Sequence, residues 1–167
     1  GKTRFYVKPN ALQLIGSYLF LDPKGELTRT LGRIMEMNGI SVTVLDLVHF
    51  QGHYNPMAYL ETDEDAIKLA FAIVNNTKPK DAPSGGDKFW DDSSVLLISA
   101  LILYLMYEAP ASEQNFSTLM YMILNCQVSE NEMVENPLMM LFGELERRDP
   151  QHPAVLQFKS FMLGAKK

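Results

Sequence analysis

The chain has 167 residues, of which 47% are hydrophobic and 21% are charged, and this composition excludes a disordered chain while allowing one ordinary domain or two small ones. Its formal net charge of −5 argues against the chain being the main contact with DNA or RNA, because phosphate binding needs clustered Lys and Arg. Cys126 is the single cysteine, which excludes a disulfide framework or a Cys-based zinc site and is typical of a reducing compartment.

The first fifty residues predict an α/β arrangement. The segment Lys2–Leu14 predicts a helix that Pro9 interrupts. Ser17–Asp22 is a short apolar and aromatic run, bounded by turn residues as a buried strand is. Apolar residues then recur at helical spacing up to Asn38-Gly39, and Val42–Leu47 is a second β-branched run. A strand, a helix and a strand within about 30 residues predict a βαβ unit with parallel strands.

After Asn55-Pro56 the pattern changes, and the remaining chain predicts helices. The predicted helices are Asp63–Asn75, Asp91–Glu108, Phe116–Asn125, Pro137–Arg147 and Ala154–Leu163. Asp91–Glu108 is apolar nearly all round, which predicts the central helix of a bundle. Its longest apolar run has 13 residues, whereas a spanning helix needs about 20, so no membrane span is predicted. Asp91, Asp92 or Ser93 is predicted to cap this helix, with Phe89-Trp90 packing onto its first turn.

The methionines and histidines have more than one interpretation. The ten Met residues lie mainly in the helical half, where they are either flexible core residues or part of an adaptable protein-docking surface. His49 and His53 have the spacing of metal ligands on a helix, but Gly52 lies between them and no third ligand is obvious, so a metal site is not expected. His152 lies at a turn before Pro153 and is predicted on the surface.

Two short motifs suggest nucleotide chemistry. Gly1-Lys2-Thr3 matches the last three residues of a Walker A loop, in which the Lys contacts phosphates and the Thr hydroxyl holds magnesium. Asp22 ends an apolar run as a Walker B carboxylate does, although an Asp at this position also commonly caps the next turn. Because the carboxyl ends of parallel strands face ligands in open α/β sheets, Asp22 and Lys24 are predicted to lie near a nucleotide.

Several segments occur together in the order of a known family. They are Lys2–Asn10, Gly16–Tyr18, Leu21–Leu27, Asn55-Pro56 and Phe89-Trp90. Over essentially the whole chain they resemble the coupling proteins of conjugative type IV secretion systems, in particular the branch found in conjugative elements of Gram-positive bacteria. The Asp-Pro-Lys-Gly-Glu-Leu block is the most specific part of this resemblance, and Gly-Lys-Thr is the least specific.

The resemblance implies an α/β plus all-α fold and a site for ATP and Mg²⁺. Residues 1–55 would form the first part of a RecA-like P-loop NTPase sheet, residues 56–163 an inserted all-α substrate-recognition domain, and residues 164–167 the return to the motor domain. Gly1, Lys2 and Thr3 would bind the nucleotide, with Thr3 on Mg²⁺. Asp22 and Lys24 match residues of the Asp-Pro-Lys-Gly-Glu-Leu block, which follows a strand in the family, and the resemblance gives them no firm catalytic role.

The same resemblance implies a hexameric ATPase at the cytoplasmic face of the cell membrane. It would receive a relaxase bound to single-stranded DNA, together with the accessory proteins of the relaxosome, and pass this cargo to the secretion channel. The remaining catalytic groups would lie before Gly1 and after Lys167, so the chain alone is expected to be a soluble docking module without ATPase activity. Two other functions remain open: a helical interaction module with no link to nucleotide, and a different hexameric DNA translocase, such as one that partitions chromosomes.

Overall fold

The chain divides into two compact units, Gly1–Tyr54 and Asn55–Lys167. The computed structural model describes residues 1–49, 52–78, 88–125 and 136–165. Each unit has an apolar core of its own.

Helices form the core of the first unit. A π-helical segment, Thr3–Val7, continues directly into α1, Lys8–Ala11, which confirms a helix near the start of the chain. Helix α2 spans Glu26–Met37 and ends at Asn38, as the sequence predicts. The side chains that α2 buries are spaced four residues apart, so they line one face and pack against Ala11; they are Leu27, Leu31 and Met35.

The predicted βαβ unit is wrong, because the structure has no strand or sheet among the residues it describes. The partial RecA-like sheet is therefore absent from this part of the chain. In the run Ser17–Asp22 the rings of Tyr18 and Phe20 stack at 5.6 Å, while the side chains of Leu19 and Leu21 are 94% and 93% exposed.

The physical reason is a lack of neighbours for the two apolar runs. Parallel strands are stable when other strands pair with their edges and helices cover both faces of the sheet. The described part of the first unit contains helices and no strand, so neither apolar run has a strand to pair with. The run Val42–Leu47 accordingly contains only an isolated bridge, at Asp46.

Five helices make up the described part of the second unit, after a short 3₁₀ turn at Pro56–Tyr59. They are α3 (Asp63–Thr77), α4 (Lys88–Glu108), α5 (Phe116–Leu124), α6 (Pro137–Arg148) and α7 (Pro153–Ala165). These helices confirm the five predicted from the sequence, with ends that differ by up to three residues. The predicted cap of α4 is wrong, because Asp91, Asp92 and Ser93 lie inside the helix, which begins at Lys88.

Helix α4 is the centre of the second unit, as its apolar composition predicts. Ala100, Leu101, Ile102 and Leu103 are four consecutive residues with no exposed surface. A helix can bury consecutive residues only when neighbours cover its whole circumference. Here α3, α5 and α7 pack around α4, and α7 makes the most extensive contact.

By length and composition alone, part of α4 qualifies as a membrane span. Phe89–Glu108 has 20 residues and a mean hydropathy of 1.5, and 33% of this window is buried within the unit. The sequence prediction considered only the 13-residue apolar run inside this helix. Less apolar residues extend that run at both ends. The central helix of a soluble bundle has the same properties, and residues 100–103 of α4 are covered by protein.

Candidate functional site

The block Asp22-Pro23-Lys24-Gly25-Glu26 forms the turn that leads into α2. The carboxylate of Asp22 accepts hydrogen bonds from the backbone N–H groups of Glu26 at 2.9 Å and Thr28 at 3.0 Å. Gly25 adopts a left-handed conformation with φ of 62°, which glycine tolerates and most other residues do not. Asp22 therefore satisfies N–H groups that the first turn of a helix leaves free. Of the two roles that the sequence allows for Asp22, capping is the one that the hydrogen bonds show.

We expect Asp22→Ala to lower the free energy of unfolding by about 1 kcal/mol at neutral pH, because it removes this cap. Desolvation raises the pKa of Asp22, but hydrogen bonds from the backbone of Thr28, Glu26 and Leu27 outweigh it, so the pKa lies below its usual value of 3.8. A depressed pKa in the folded state stabilises above the unfolded pKa, and the contribution is lost as the pH falls through the folded pKa.

Denaturant unfolding followed by circular dichroism, at neutral pH and well below pH 3.8, measures this effect. The stability difference between the parent and Asp22→Ala should shrink at the lower pH. Asp22→Asn keeps one acceptor oxygen and cannot titrate, so it serves as the control. An equal difference at both pH values would contradict the capping role.

Lys8 joins the first helical segment to the turn before α2. Its Nζ lies 2.6 Å from Oε1 of Glu26, and the hydrogen bond from Lys8 is the main cause of the lowered pKa of Glu26. The two segments Lys2–Asn10 and Leu21–Leu27 therefore meet through Lys8 and Glu26. In the described residues, no hydrogen bond or ion pair joins Lys2 or Thr3 to Asp22 or Lys24.

Gly1, Lys2 and Thr3 lie at the amino-terminal end of the first helical segment. The N–H of Phe5 donates to the carbonyl of Gly1 at 3.2 Å, so Gly1 takes part in the helical hydrogen bonding of this segment. Gly1 and Lys2 are exposed, and Thr3 is half-buried. The Lys2 ammonium group and the Thr3 hydroxyl are donors of the kind that proteins use for phosphate. These donor groups fit a phosphate group. The Asp22 carboxylate, by contrast, already accepts hydrogen bonds from the first turn of α2.

The loop that carries His49 is held by an acidic side chain. The carboxylate of Asp46 accepts a hydrogen bond from the His49 N–H and lies 2.8 Å from the His49 ring nitrogen Nδ1, and these contacts lower the pKa of Asp46 to about 2. Gly52 has φ of 82°, and a Cβ at this position would lie 2.2 Å from the Val44 carbonyl oxygen, so the loop requires glycine. Across the described residues, no three or more His, Cys, Asp or Glu side chains are grouped to hold a metal ion.

His152 is buried, with 8% of its surface exposed, so its predicted surface position is wrong. Its Nδ1 accepts the N–H of Ala154 at 3.2 Å, which makes His152 the cap of α7 ahead of Pro153. Its Nε2 lies 3.6 Å from the Glu108 carboxylate, and that carboxylate also pairs with Arg148. This network joins the ends of α4 and α6 to the start of α7.

An apolar groove with a volume of about 400 Å³ lies between α6 and α7. Met139 and Phe142 line it from α6, and Phe158 and Met162 line it from α7. The rings of Phe142 and Phe158 stack at 4.1 Å. Methionine side chains adapt to differently shaped partners, so the groove has the composition of a protein-docking surface.

Two features set the shape and polarity of the groove. A Cβ on Gly143 would meet no atom within 4 Å, which leaves open space along the α6 wall. Glu146 and Lys159, which also line the groove, form an ion pair of 2.8 Å between the two helices. Met57 is 4% exposed and lies in the core, as predicted for a core methionine, whereas Met139 is 46% exposed; a docking role for the exposed methionines stays a prediction.

The comparison with protein families relates the chain to a described family. The model of a family described as type IV secretory system conjugative DNA transfer matches residues 1–158. Neither the curated proteins nor the solved structures gave a match.

Proposed function

The chain belongs to the family of type IV secretory proteins for conjugative DNA transfer, and from this premise we propose that it acts within a conjugative coupling ATPase. In this role the helical second unit recruits a relaxase bound to single-stranded DNA, with its accessory proteins, and the whole protein delivers this cargo to the secretion channel. The match over residues 1–158 carries the proposal, because it covers the first compact unit and most of the second.

The charge of the two units supports a protein as the direct ligand of the helical unit. Residues 55–167 contain 9 Lys and Arg and 16 Asp and Glu, a net charge of −7, whereas residues 1–54 contain 6 and 4, a net charge of +2. A unit with this acidic excess repels the phosphate backbone of DNA. The apolar groove between α6 and α7 offers instead the kind of surface that proteins bury on association.

We assign ATP and Mg²⁺ to the first unit on the basis of family membership. Gly1 and Lys2 would contact the phosphates, the Thr3 hydroxyl would face Mg²⁺, and Lys24 would lie nearby. The nucleotide would supply the phosphoryl group whose hydrolysis energises transfer. Lys2 would neutralise phosphate charge, and Asp22 would hold the start of α2 through its hydrogen bonds. The complete protein would work as a homo-hexamer at the cytoplasmic face of the membrane.

A second candidate is a helical docking module without nucleotide chemistry. It is favoured by the lack of a sheet in the described part of the first unit and by the absence there of any direct bond between Lys2 or Thr3 and Asp22. The third possibility, a DNA translocase of another system, has less support because the family match is to conjugative transfer.

The docking role is tested by titrating the 167-residue chain with its cognate relaxase in a calorimeter. We expect saturable binding with a dissociation constant on the order of micromolar, as for transient assemblies. Single-stranded DNA without relaxase is the control and should give no binding, because the helical unit is acidic. Binding of the DNA but not of the relaxase would contradict the docking role.

A further inference from the structure

We propose that Asn38 is a site of spontaneous deamidation, and that fraying of the last turn of α2 controls the rate of this reaction. The side-chain amide becomes a carboxylate without the help of an enzyme. Three features of the molecule support this site: the glycine that follows Asn38, the exposure of both residues, and the hydrogen bonds that hold the two reacting groups. The modification is independent of the proposed function.

The chemistry uses the backbone nitrogen of the following residue. The nitrogen of Gly39 attacks the side-chain carbonyl carbon Cγ of Asn38. A bond forms between these two atoms, the bond from Cγ to Nδ2 breaks, and ammonia leaves with the proton of the Gly39 nitrogen. Water then opens the succinimide ring at either of its carbonyl carbons and leaves aspartate or isoaspartate at position 38. A following glycine favours the attack, because it has no side chain to hinder the approach.

The folded end of α2 holds both reacting groups in hydrogen bonds. Nδ2 of Asn38 donates to the Ile34 carbonyl at 2.8 Å, and the N–H of Gly39 donates to the Glu36 carbonyl at 3.0 Å. The Gly39 nitrogen therefore reaches Cγ of Asn38 only after these hydrogen bonds open. The end of a helix is where such opening is easiest, and both residues are exposed to the water that completes the reaction.

Two other asparagines have a similar setting but no following glycine. Asn125 directly follows α5, and Asn75 lies in the last turn of α3. Both are exposed, and the Nδ2 of each donates to the carbonyl four residues earlier, at 2.7 Å and 2.9 Å. Both are followed by residues with a side chain. A difference in rate between Asn38 and these two residues therefore measures the effect of Gly39.

Conversion of the amide into an acid weakens the end of α2. A carboxylate accepts hydrogen bonds and cannot donate one, so the Ile34 carbonyl loses its side-chain donor. The new carboxylate is ionised at neutral pH, and its negative charge lies at the negative end of the helix dipole. Isoaspartate also adds a carbon atom to the main chain. Since Met35 belongs to the core of the first unit, loosening of this turn should destabilise that unit.

The test incubates the 167-residue chain at mildly alkaline pH and follows positions 38, 75 and 125 by digestion at acidic pH and mass spectrometry. A synthetic peptide of residues 34–43, incubated beside the chain, gives the rate without the fold. We expect Asn38 to react faster than Asn75 and Asn125. We also expect Asn38 to react several-fold more slowly in the chain than in the peptide, because α2 must open first.

The opposite results would overturn the proposal. An unchanged Asn38 in the chain after the peptide has reacted, or an Asn38 that reacts no faster than Asn75 and Asn125, would show that this residue is not a deamidation site. Equal rates in the chain and in the peptide would show that the fraying of α2 does not control the reaction.

Asn38→Asp creates one of the two products directly and tests its effect on the fold. We expect this variant to unfold at a lower denaturant concentration than the parent, as measured by circular dichroism. Asn75→Asp is the matched control: Nζ of Lys78 lies 3.0 Å from Oδ1 of Asn75 and would compensate the new charge, so its midpoint should not fall. Equal midpoints for Asn38→Asp and the parent would contradict the destabilising effect.

Discussion

Leu101→Ala is expected to lower the free energy of unfolding of the helical unit by about 3–5 kcal/mol. Leu101 has no exposed surface and lies in the middle of α4, in the cluster of buried side chains that α3, α5 and α7 share. Removing its isobutyl group takes away buried apolar surface and leaves a cavity that a close-packed core cannot fill. Urea unfolding followed by far-ultraviolet circular dichroism measures the change.

Leu124→Ala is the matched control for Leu101→Ala. The same atoms are removed, but Leu124 lies on α5 with 63% of its surface exposed, so the change should stay within about 0.5 kcal/mol. Similar losses in the two variants would show that α4 is not the centre of the core.

On the proposed nucleotide role, Lys2→Ala should reduce ATP hydrolysis by the complete protein by about 10²-fold or more, which is the scale for losing one group that stabilises transition-state charge. Lys2 lies in the first turn of the amino-terminal helical segment, is exposed and forms no salt bridge with a described residue, so its removal should leave the fold intact. The measurement is the steady-state rate of phosphate release with and without single-stranded DNA. If the protein is a DNA-translocating motor, the DNA should increase this rate.

Lys68→Ala provides the charge control for Lys2→Ala. Lys68 is exposed on α3 and pairs with Glu64 at 3.2 Å, far along the chain from the nucleotide motif. The activity of Lys68→Ala should equal that of the parent. If Lys2→Ala were as active as the parent, the nucleotide assignment would fail and the helical docking module would become the first candidate.

The helices could be predicted from the sequence because their determinants are local. Thr62 and Asp65 form a reciprocal capping box at the start of α3, and the regular spacing of Leu27 and Leu31 marks the buried face of α2. The prediction of strands was wrong because an apolar run becomes a strand only when another segment pairs with it. Leu19 and Leu21 match the strand pattern and remain almost fully exposed.

The candidate sites also differ in whether they depend on residues close together in the sequence or far apart. The capping role of Asp22 was one of two interpretations open to the sequence, because the acceptor and the N–H groups lie within six residues. The groove could not be predicted, since it depends on how Phe142 meets Phe158 across two helices. The burial of His152 depends on Glu108, which lies 44 residues earlier. Its position directly before Pro153 is the local signal of a helix cap, because proline favours the first position of a helix.

The order of synthesis gives the apolar character of α4 a further consequence. The ribosome completes α4 at Glu108, while its main partner α7 begins at Pro153. At about 5–20 residues per second, a newly made α4 waits several seconds for the helix that covers it. During that interval the face of α4 that α7 later covers, within a stretch that has the hydropathy of a membrane span, stays exposed. A chain that lacks α7 therefore leaves part of the apolar surface of α4 uncovered, and exposed apolar surface of this kind favours aggregation.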